Sequence, residues 1–427
     1  MRFLSRSAWA ATFAAALVAV GCAGPRRLDP KQPWHGKNRA ALDAMIAAHG
    51  KHGAGYDSAR APVATFDWDN TSIKNDAGDA TMYWMLRNAK VLQPPGKKWR
   101  KTSRYLTDAG VSALDAACGS LALPGEALPT HENAACATEI VSIYGEGKTA
   151  AGEAAFAGWN HRRMEPGYAF GVALEAGHSP DEVRAFARAA MTENLAHAIG
   201  VTQSVGRVNG LPAYVRFHEP IRDLVATLTD EGITPWVVSA SSQYVVEPYA
   251  AEYGIPAAHV IGIRPILRDG LLTYDLEGCG DVPDGTNDGA GHAAGNSLVT
   301  YVDGKRCWIN KVIFGDTSAR ALERNADERR RPLLTAGDSD TDITFLRDAT
   351  GAHLVLNRQR LEVMCHAYRD ADGHWLVNPM FVEPLPQRVA PYPCSTAACR
   401  DENGVLGPCR DDHGDVIPDQ HDTVFAP

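Results

Sequence analysis

Short apolar runs alternate with longer amphipathic stretches over much of this chain. The runs at 62–66, 234–238, 259–263 and 332–336 have the length and the apolar character of buried strands. Residues 218–230 repeat apolar side chains at helical spacing between the first two of these runs. Strands separated by helices are typical of a parallel sheet. The pattern therefore predicts an α/β protein with a doubly wound, Rossmann-like parallel sheet as its core.

The stretch at 77–205 interrupts this alternation, because it is rich in helix formers and contains no clean strand pattern. We interpret it as a helical cap domain inserted between two parts of the core, at 38–76 and 206–380. Residues 22–37 are rich in Pro, Arg and Lys, which predicts a tether ahead of the core. Residues 381–427 repeat Pro and carry three cysteines, which favours a small extension held by disulfides.

The first residues predict an export signal rather than part of the fold. Two arginines precede an apolar run at 8–20, which is too short to span a membrane and suits a signal peptide over residues 1–21. The sequence Ala-Val-Gly-Cys that follows this run resembles a bacterial lipoprotein processing site. We expect an exported, periplasmic or outer-surface lipoprotein that contacts the membrane only through a lipid on Cys22. The alternative is an ordinary secretory signal cleaved near Ala23.

Cysteine usage also favours an oxidising compartment. The chain has nine cysteines, and lipidation of Cys22 leaves eight, an even number that suits four disulfides. Cys118–Cys136 and Cys279–Cys307 are the simplest local pairings. No Cys-x-x-Cys pair occurs, which argues against a zinc cluster.

Composition and charge narrow the class of partner. The 427-residue chain is 45% hydrophobic and 22% charged, as in ordinary globular proteins. Its net charge of −9 argues against a general nucleic-acid binder, so we expect no nucleic-acid partner. The chain also has no complete phosphate-cradling loop of the form Gly-x-x-x-x-Gly-Lys-Thr and no matched Ser-His-Asp pattern. None of these features fixes an oligomeric state.

Two acidic clusters follow strands of the predicted sheet. Asp67 and Asp69 come directly after the first strand, and Asp338 and Asp342 follow the last of the four. If these strands are neighbours, the carboxylates converge at the edge where open α/β sheets bind ligands. Converging carboxylates repel each other unless a hard divalent cation lies among them. Neither cluster has the Gly and Glu positions of an EF-hand loop, so the clusters predict a catalytic metal site rather than two calcium loops.

Four motifs occur in order over residues 60–360. They are Asp67-x-Asp69-x-Thr71, a strand that ends at Ser239, Lys311, and Gly337-Asp338-x-x-x-Asp342. Each motif alone is weak, but the ordered set resembles the phosphatase branch of the haloacid dehalogenase superfamily. Within it, the chain is most similar to the exported phosphorylcholine phosphatases of bacteria, through its cap cysteines and the Trp-Ile-Asn-Lys sequence that ends at Lys311.

The resemblance implies a role for each aspartate. Asp67 is expected to attack phosphorus and form an aspartyl-phosphate, and Asp69 to act as the general acid and then as the base. Asp67, the backbone carbonyl of Asp69, and Asp338 are expected to hold Mg²⁺. Asp342 is expected to support the metal site, with Asp340 as the alternative.

The resemblance also implies groups that bind the phosphoryl oxygens. Ser239 is expected to donate a hydrogen bond, and Lys311 to stabilise the transferring phosphate. Lys305 is the alternative to Lys311. We also expect Asn70, inside the first motif, to contact the substrate.

Substrate choice is expected to lie in the cap. Aromatic faces with a nearby acid commonly hold a choline head group. Asp76 and Trp84 are the candidates for this role, although Trp84 and Tyr83 also suit helix packing. The segment at 159–163 is more cationic and would instead suit an anionic substrate.

Together these features predict a Mg²⁺-dependent phosphomonoesterase that acts outside the cytoplasm on small phosphorylated substrates such as phosphocholine. One alternative is a non-catalytic envelope protein that binds ligands on the same fold. Another is a phosphotransferase that passes the phosphoryl group to an alcohol.

Overall fold

The structure is a computed structural model, and it describes residues 24–279 and 298–426. The predicted signal peptide and the predicted lipid on Cys22 lie outside the described residues. Within these two ranges, no helix combines the length and the apolar character needed to cross a membrane.

The described chain contains α-helices and strands over most of its length. The α-helices are α1 Asn38–His49, α2 Ala77–Arg87, α3 Asp108–Cys118, α4 Ala134–Glu146, α5 Pro166–Ala173, α6 Pro180–Ala196, α7 Glu219–Asp230, α8 Gln243–Ala251, α9 Asp303–Val312, α10 Ile343–Leu346 and α11 Leu361–Arg369. The strands are β1 Val63–Phe66, β2 Ile73–Lys74, β3 Thr202–Val205, β4 Val208–Pro212, β5 Arg216–Phe217, β6 Thr234–Ser242, β7 Val260–Ile263, β8 Pro265–Arg268, β9 Leu271–Leu276, β10 Leu334–Gly337, β11 Ala352–Asn357, β12 Trp375–Pro379, β13 Cys399–Arg400 and β14 Leu406–Gly407.

Six strands form the central sheet, in the order β12-β11-β10-β1-β6-β7, and every neighbouring pair is parallel. β1 lies between β10 and β6, with Phe66 beside Ala336 on one side and beside Val237 on the other. The chain winds outward from β1 in both directions, which confirms the predicted doubly wound α/β core. Because β1 and β10 are parallel neighbours, the residues that follow them emerge at the same edge of the sheet.

Side chains that alternate along the strands pack into two separate cores. Val237 and Leu354 belong to a core that includes residues of α1, α7 and α8. The next residues, Val238 and Val355, belong to a core that includes residues of α9, α10 and α11. Successive strand residues point to opposite faces of a sheet, so helices cover both faces. Burial on both faces explains why these strands are continuous apolar runs.

An insertion interrupts the core between β2 and β5, and we define it as residues 75–215. β2 and β5 pair antiparallel, with Ile73 opposite Phe217, and so bring the two ends of the insertion together. Helices α2 to α6 and the β3–β4 hairpin lie inside it. The helical part matches the character predicted for 77–205, but the insertion continues through the hairpin instead of ending at 205.

The described part of the predicted tether, residues 24–37, packs on the core instead of hanging free. The side chain of Leu28 is 1% exposed, and its backbone N–H donates to Asp43 Oδ1 at 2.9 Å. The N–H of His35 donates to Asn378 Oδ1 at 2.7 Å. The buried side chain of Leu28 and these backbone bonds therefore hold the segment against the core.

All eight cysteines in the described residues form disulfides, so four bonds cross-link the fold. They are Cys118–Cys136, Cys279–Cys307, Cys365–Cys394 and Cys399–Cys409. The first two are the local pairings predicted from the sequence. The last two lie in or attach the C-terminal extension, residues 381–427.

Candidate active site

Three buried carboxylates converge at the edge of the sheet where β1 and β10 end. Asp67, Asp338 and Asp342 each place one carboxylate oxygen so that the three oxygens lie within 4.8 Å of one another. Asp67 is 5% exposed, and the other two are fully buried. Burial and the neighbouring Asp342 raise the pKa of Asp67 well above its ordinary value, although a nearby lysine lowers it. The two clusters therefore meet as the sequence indicates.

Lys305, on α9, lies among these carboxylates. Its Nζ is 2.6 Å from Asp67 Oδ1 and 2.6 Å from Asp342 Oδ1. Burial alone would lower the pKa of Lys305, but Asp342 and Asp67 raise it above its ordinary value, so the ammonium stays charged.

The structure corrects the choice of Lys311 as the lysine of the site. Lys311 Nζ donates to the backbone oxygen of Gly278 at 2.6 Å and lies 4.4 Å from the centre of the Trp308 ring. Its charge is therefore used in contacts away from the aspartates. The alternative, Lys305, occupies the position beside Asp67.

Arg358 is a site residue that the sequence did not single out. Its Nη1 lies 2.6 Å from Asp338 Oδ2, and Thr71 Oγ1 donates to Asp338 Oδ1 at 2.7 Å. Arg358 follows directly after β11, which is the neighbour of β10 in the sheet. The signal that could have found it is a charged residue at the carboxyl end of a strand next to an acidic one.

The structure separates the roles of Asp340 and Asp342. Asp342 Oδ2 accepts the backbone N–H groups of Asp338 and Ser339, each at 3.0 Å, while its other oxygen meets the lysine. Asp340 Oδ1 instead accepts the N–H of Val363 at 3.0 Å, at the start of α11. Asp342 thus faces the carboxylate cluster, and Asp340 caps a helix.

The side chain of Asp69 points away from the three carboxylates. Its Oδ1 accepts the N–H of Ala77 at 2.7 Å, and its Oδ2 accepts from Ser241 Oγ at 2.7 Å and from Ser239 Oγ at 3.2 Å. Burial, followed by the charge of Asp76, raises the pKa of Asp69 to about 8. The carboxyl is therefore protonated at neutral pH, as a general acid must be.

Ser239 and Ser241 contact Asp69 in different ways. Ser239 is fully buried, and its Oγ also accepts the N–H of Ser241 at 3.0 Å. Ser241 lines the cavity next to the site, whereas Ser239 is not among the residues that line it. Ser241 could not be predicted from the apolar run, because that run ends before Ser239, whereas β6 continues to Ser242.

A cavity of about 600 Å³ opens onto the site and carries an acidic wall formed by Asp76, Asp79 and Glu175. Burial raises the pKa of these carboxyls to about 7, about 6 and about 8 respectively. Tyr144 donates to Asp79 at 2.8 Å, and Ser242 donates to Glu175 at 2.8 Å. Within the described ranges, no Lys or Arg lies at ion-pair distance from the acidic wall.

Of the remaining predicted substrate residues, one reaches the cavity and one does not. Asn70 lines it, with a backbone φ of 64° that Asn tolerates better than most residues. Trp84 is absent from the lining and stacks on Phe186 inside the insertion, with 5.7 Å between ring centroids. The structure therefore corrects Trp84 to a packing residue, while Asp76 does line the cavity.

The parallel sheet, the insertion between β2 and β5 and the aspartates at the ends of β1 and β10 agree with the arrangement that the resemblance to haloacid dehalogenase-superfamily phosphatases implies. Over 127 residues, 28% of the chain, the sequence is 32% identical to a phosphoserine phosphatase of Halobacterium salinarum. The match spans 59% of that relative, which is less than two thirds of its length. No protein-family model matches the chain.

Solved structures add support at the level of the fold. A conserved, functionally unknown protein from Anaerococcus prevotii matches with a TM-score of 0.57 and 19% identity, over 83% of this chain and 94% of that chain. A haloacid dehalogenase family hydrolase from Salmonella enterica serovar Typhi matches with a TM-score of 0.32 and 12% identity, over 69% and 63% of the two chains. The second score is too low to carry an argument.

Proposed function

We propose that this protein is a Mg²⁺-dependent phosphomonoesterase that hydrolyses small phosphorylated metabolites. The observation that carries the proposal is the meeting of Asp67, Asp338 and Asp342 within 4.8 Å, with Lys305 among them, beside a cavity of about 600 Å³. The partial likeness to a phosphoserine phosphatase agrees with this class of reaction.

The carboxylate cluster fits a hard divalent cation. Mg²⁺ takes oxygen ligands and is commonly bound by a few carboxylates together with waters and substrate phosphate oxygens. Asp67, Asp338 and the backbone carbonyl of Asp69 would hold it, with Asp342 in support. When bound, Mg²⁺ supplies charge neutralisation and orientation of the phosphoryl group.

The side chains can then divide the reaction into two steps. Asp67 lines the cavity, so its carboxylate attacks phosphorus, forms the aspartyl-phosphate and releases the leaving alcohol. Asp69, with its pKa raised to about 8, gives a proton to that alcohol and afterwards takes one from the water that attacks the intermediate. Lys305 and Arg358 offset the negative charge that gathers around phosphorus.

The acidic wall favours a substrate whose leaving alcohol carries a cation, such as phosphocholine. Burying carboxylates without a counter-charge is costly, and a bound ammonium group would supply that charge. The hydroxyl-bearing rings of Tyr144 and Tyr168 line the same cavity and offer aromatic faces to a quaternary ammonium. The resemblance to exported phosphorylcholine phosphatases points to the same substrate.

We also propose that the protein works outside the cytoplasm as a lipoprotein anchored through Cys22. Support comes from the disulfides of the described residues, which persist in oxidising compartments and are rare in the cytosol.

Substitution of the nucleophile tests the proposed reaction. Phosphate release from phosphocholine and from glycerol phosphate is measured with Mg²⁺ and with EDTA, for the wild type, Asp67→Asn and Asp57→Asn. Asp57 is exposed and does not line the cavity, so it serves as the control. Asp67→Asn should lose activity by roughly a thousandfold or more with its circular dichroism unchanged. Turnover at the wild-type rate in Asp67→Asn would rule the mechanism out.

The same assay separates the alternatives. Absence of any hydrolysis by the wild type across pH would favour a non-catalytic binding protein. Addition of excess alcohols, followed by product analysis, distinguishes hydrolysis from phosphoryl transfer, because transfer yields a new phosphoester in place of inorganic phosphate.

A further inference from the structure

The C-terminal extension supplies part of the wall of the active-site cavity. Arg400, on β13, lines this cavity together with residues of the core and the insertion. The disulfide Cys399–Cys409 closes the loop that carries Arg400, and a second disulfide joins the extension to α11. Arg400 therefore reaches the cavity from a covalently restrained backbone.

A loop of the insertion, at residues 161–162, forms hydrogen bonds to the backbone of this part of the extension. Arg162 Nη1 donates to the backbone oxygen of Arg400 at 3.2 Å and to Glu362 Oε1 at 2.8 Å. The N–H of His161 donates to the backbone oxygen of Glu402 at 2.9 Å. The charge of Arg162 is thus paired with Glu362, and its contact with the extension fixes the position of Arg400.

Two guanidinium groups on this wall form no direct ion pair. Burial raises the pKa of the nearby Asp340 and Glu165, and the charges of Arg360 and Arg400 partly oppose that shift. Arg360 and Arg400 both line the cavity, and no carboxylate in the part of the chain that the structure describes lies at ion-pair distance from either group. Arg400 Nη1 donates to the backbone oxygen of Gly404 at 3.1 Å. The acid nearest in sequence to Arg360 in this wall, Glu362, is already paired with the insertion.

The neighbouring acid Asp340 is also satisfied, because its Oδ1 accepts the N–H of Val363 at 3.0 Å. Glu165 accepts the N–H of Gly167 at 3.4 Å, at the start of α5. The acids around this wall are therefore used in the fold, while the two arginines keep hydrogen-bond donors for a ligand. We call Arg360 and Arg400 the basic wall.

The acidic and basic walls belong to one cavity, and a pair of tyrosines lies between them. Tyr168 and Tyr301 are in edge-to-face contact, with 6.1 Å between ring centroids. Asp76 and Tyr168 are electrostatic neighbours, as are Arg400 and Tyr301. Both charge types therefore face one cavity of about 600 Å³, a volume within the range of small-molecule sites.

We propose that the basic wall is an oxyanion subsite that binds a carboxylate on the leaving alcohol of the substrate. This inference rests on the proposed phosphatase function and narrows its substrate class. The favoured substrate is a phosphomonoester whose alcohol carries both an ammonium group, for the acidic wall, and a carboxylate, for the basic wall. Phosphocholine, which has no carboxylate, would use the acidic wall alone and should be a poorer substrate than phosphoserine. Guanidinium groups suit this role because they present several N–H donors in a plane that matches a carboxylate.

Phosphoserine and phosphoethanolamine provide a matched test, because they differ only by the carboxylate. The ratio of kcat/KM for phosphoserine to kcat/KM for phosphoethanolamine is measured for the wild type, Arg400→Gln, Arg400→Lys and Arg360→Gln. The wild type should prefer phosphoserine, and Arg400→Gln should lower the ratio about tenfold with phosphoethanolamine unchanged, since one charged hydrogen bond is lost. Arg400→Lys should restore part of the preference.

Arg410→Gln is the matched control. Arg410 lies in the same extension and donates to the backbone oxygen of Gly414 at 2.7 Å, as Arg400 does to Gly404, but it does not line the cavity. Its ratio should equal that of the wild type. Inhibition by inorganic phosphate is measured in parallel and should be the same in Arg400→Gln, because the subsite takes the carboxylate of the substrate rather than the released phosphate.

The outcomes are distinct. An unchanged ratio in both Arg400→Gln and Arg360→Gln overturns the subsite, as does an equal loss for both substrates or a loss of phosphate inhibition alone. A wild type that prefers phosphoethanolamine, or that hydrolyses phosphocholine but neither of these two substrates, also overturns the subsite. Absence of hydrolysis of any substrate, phosphocholine and glycerol phosphate included, would instead overturn the proposed function on which the subsite depends.

Discussion

The sheet edge and the acidic wall both gather buried carboxyl groups, but they balance the negative charge differently. At the sheet edge, Lys305 contacts Asp67 and Asp342, and Arg358 contacts Asp338, all through short ion pairs. On the acidic wall, no described cation is at ion-pair distance from Asp76, Asp79 or Glu175.

This difference distinguishes the residues that bind the reacting phosphate from the residues that recognise the alcohol of the substrate. At the sheet edge, the protein provides its own positive charge, because the phosphate must be bound there in every substrate. It leaves the charge of the acidic wall to be completed by the ligand, so binding there depends on the identity of the alcohol. Changes at the sheet edge should therefore affect every substrate, whereas changes on the acidic wall should affect only some.

Removal of the buried lysine should have the largest effect. Lys305→Met leaves two buried carboxylates without their cation, and loss of one partner of a buried pair costs about 3–5 kcal/mol of folding free energy. We expect kcat to fall by about a hundredfold to a thousandfold for all substrates, since the group also offsets charge at phosphorus. Steady-state kinetics and thermal unfolding measure the two effects.

Lys311→Met is the control for this change, because it removes a lysine from the same helix that contacts Gly278 instead of the aspartates. It should keep kcat within a factor of about three of the wild type, because Lys311 neither contacts the aspartates nor lines the cavity. The reverse result, with Lys311→Met inactive and Lys305→Met active, would contradict the geometry of the site.

Substitution of a metal ligand should have the second-largest effect. Asp338→Asn removes one of the carboxylates within 4.8 Å of the others, and Mg²⁺ affinity should fall at least about tenfold. Isothermal titration with MgCl₂ measures this without any turnover. Asp340→Asn, which changes the carboxylate that accepts the N–H of Val363, should retain the affinity of the wild type. Equal losses in both variants would argue against the assigned ligands.

A change on the acidic wall should be smaller and selective. Asp79→Asn keeps the size of the side chain but removes its charge, so KM for phosphocholine should rise about tenfold. KM for glycerol phosphate, whose alcohol is neutral, should stay the same. A rise for both substrates would show that Asp79 supports the fold of the cavity and does not recognise the cation.

The pH dependence should give the smallest effect. Burial raises the pKa of Asp76 to about 7 and that of Asp79 to about 6, so these groups lose their charge as the pH falls through this range. The KM for phosphocholine divided by the KM for glycerol phosphate should therefore increase by a few-fold between about pH 8 and about pH 5. Taking the ratio cancels the titration of the phosphate group, and a flat ratio would contradict cation binding by this wall.

The sheet and its acidic edge could be predicted because both depend on local patterns. A continuous apolar run marks a strand buried on both faces, and the residue after it lies at the sheet edge. Asp67 and Asp338 followed from this rule alone. The local pattern does not show that β1 and β10 are neighbours. The parallel register of the two strands confirms this expectation.

Helix orientation could not be predicted in the same way. Lys305 and Lys311 are six residues apart, which places them about 120° apart around a helix. Asp79 and Trp84, both on α2, are five residues apart and so about 140° apart. Sequence spacing shows that such residues face different directions, but only the packing of the helix decides which of them faces the site.

The basic wall lies furthest from what sequence can predict. Arg400 reaches the cavity through an extension whose path depends on two disulfides and on contacts with the insertion. The cationic segment at 159–163 suggested binding of an anionic substrate, but Arg162 in this segment forms an ion pair with Glu362 instead. Long-range connections of this kind leave no local pattern in the chain.

Rapid acid quench during turnover of phosphocholine, followed by peptide mass mapping, tests most directly whether Asp67 carries the phosphoryl group. The site predicts a phosphorylated peptide that contains Asp67 in the wild type and its absence in Asp67→Asn. Active turnover with no phosphoryl group on that peptide, or with the group on another residue, would contradict the central claim.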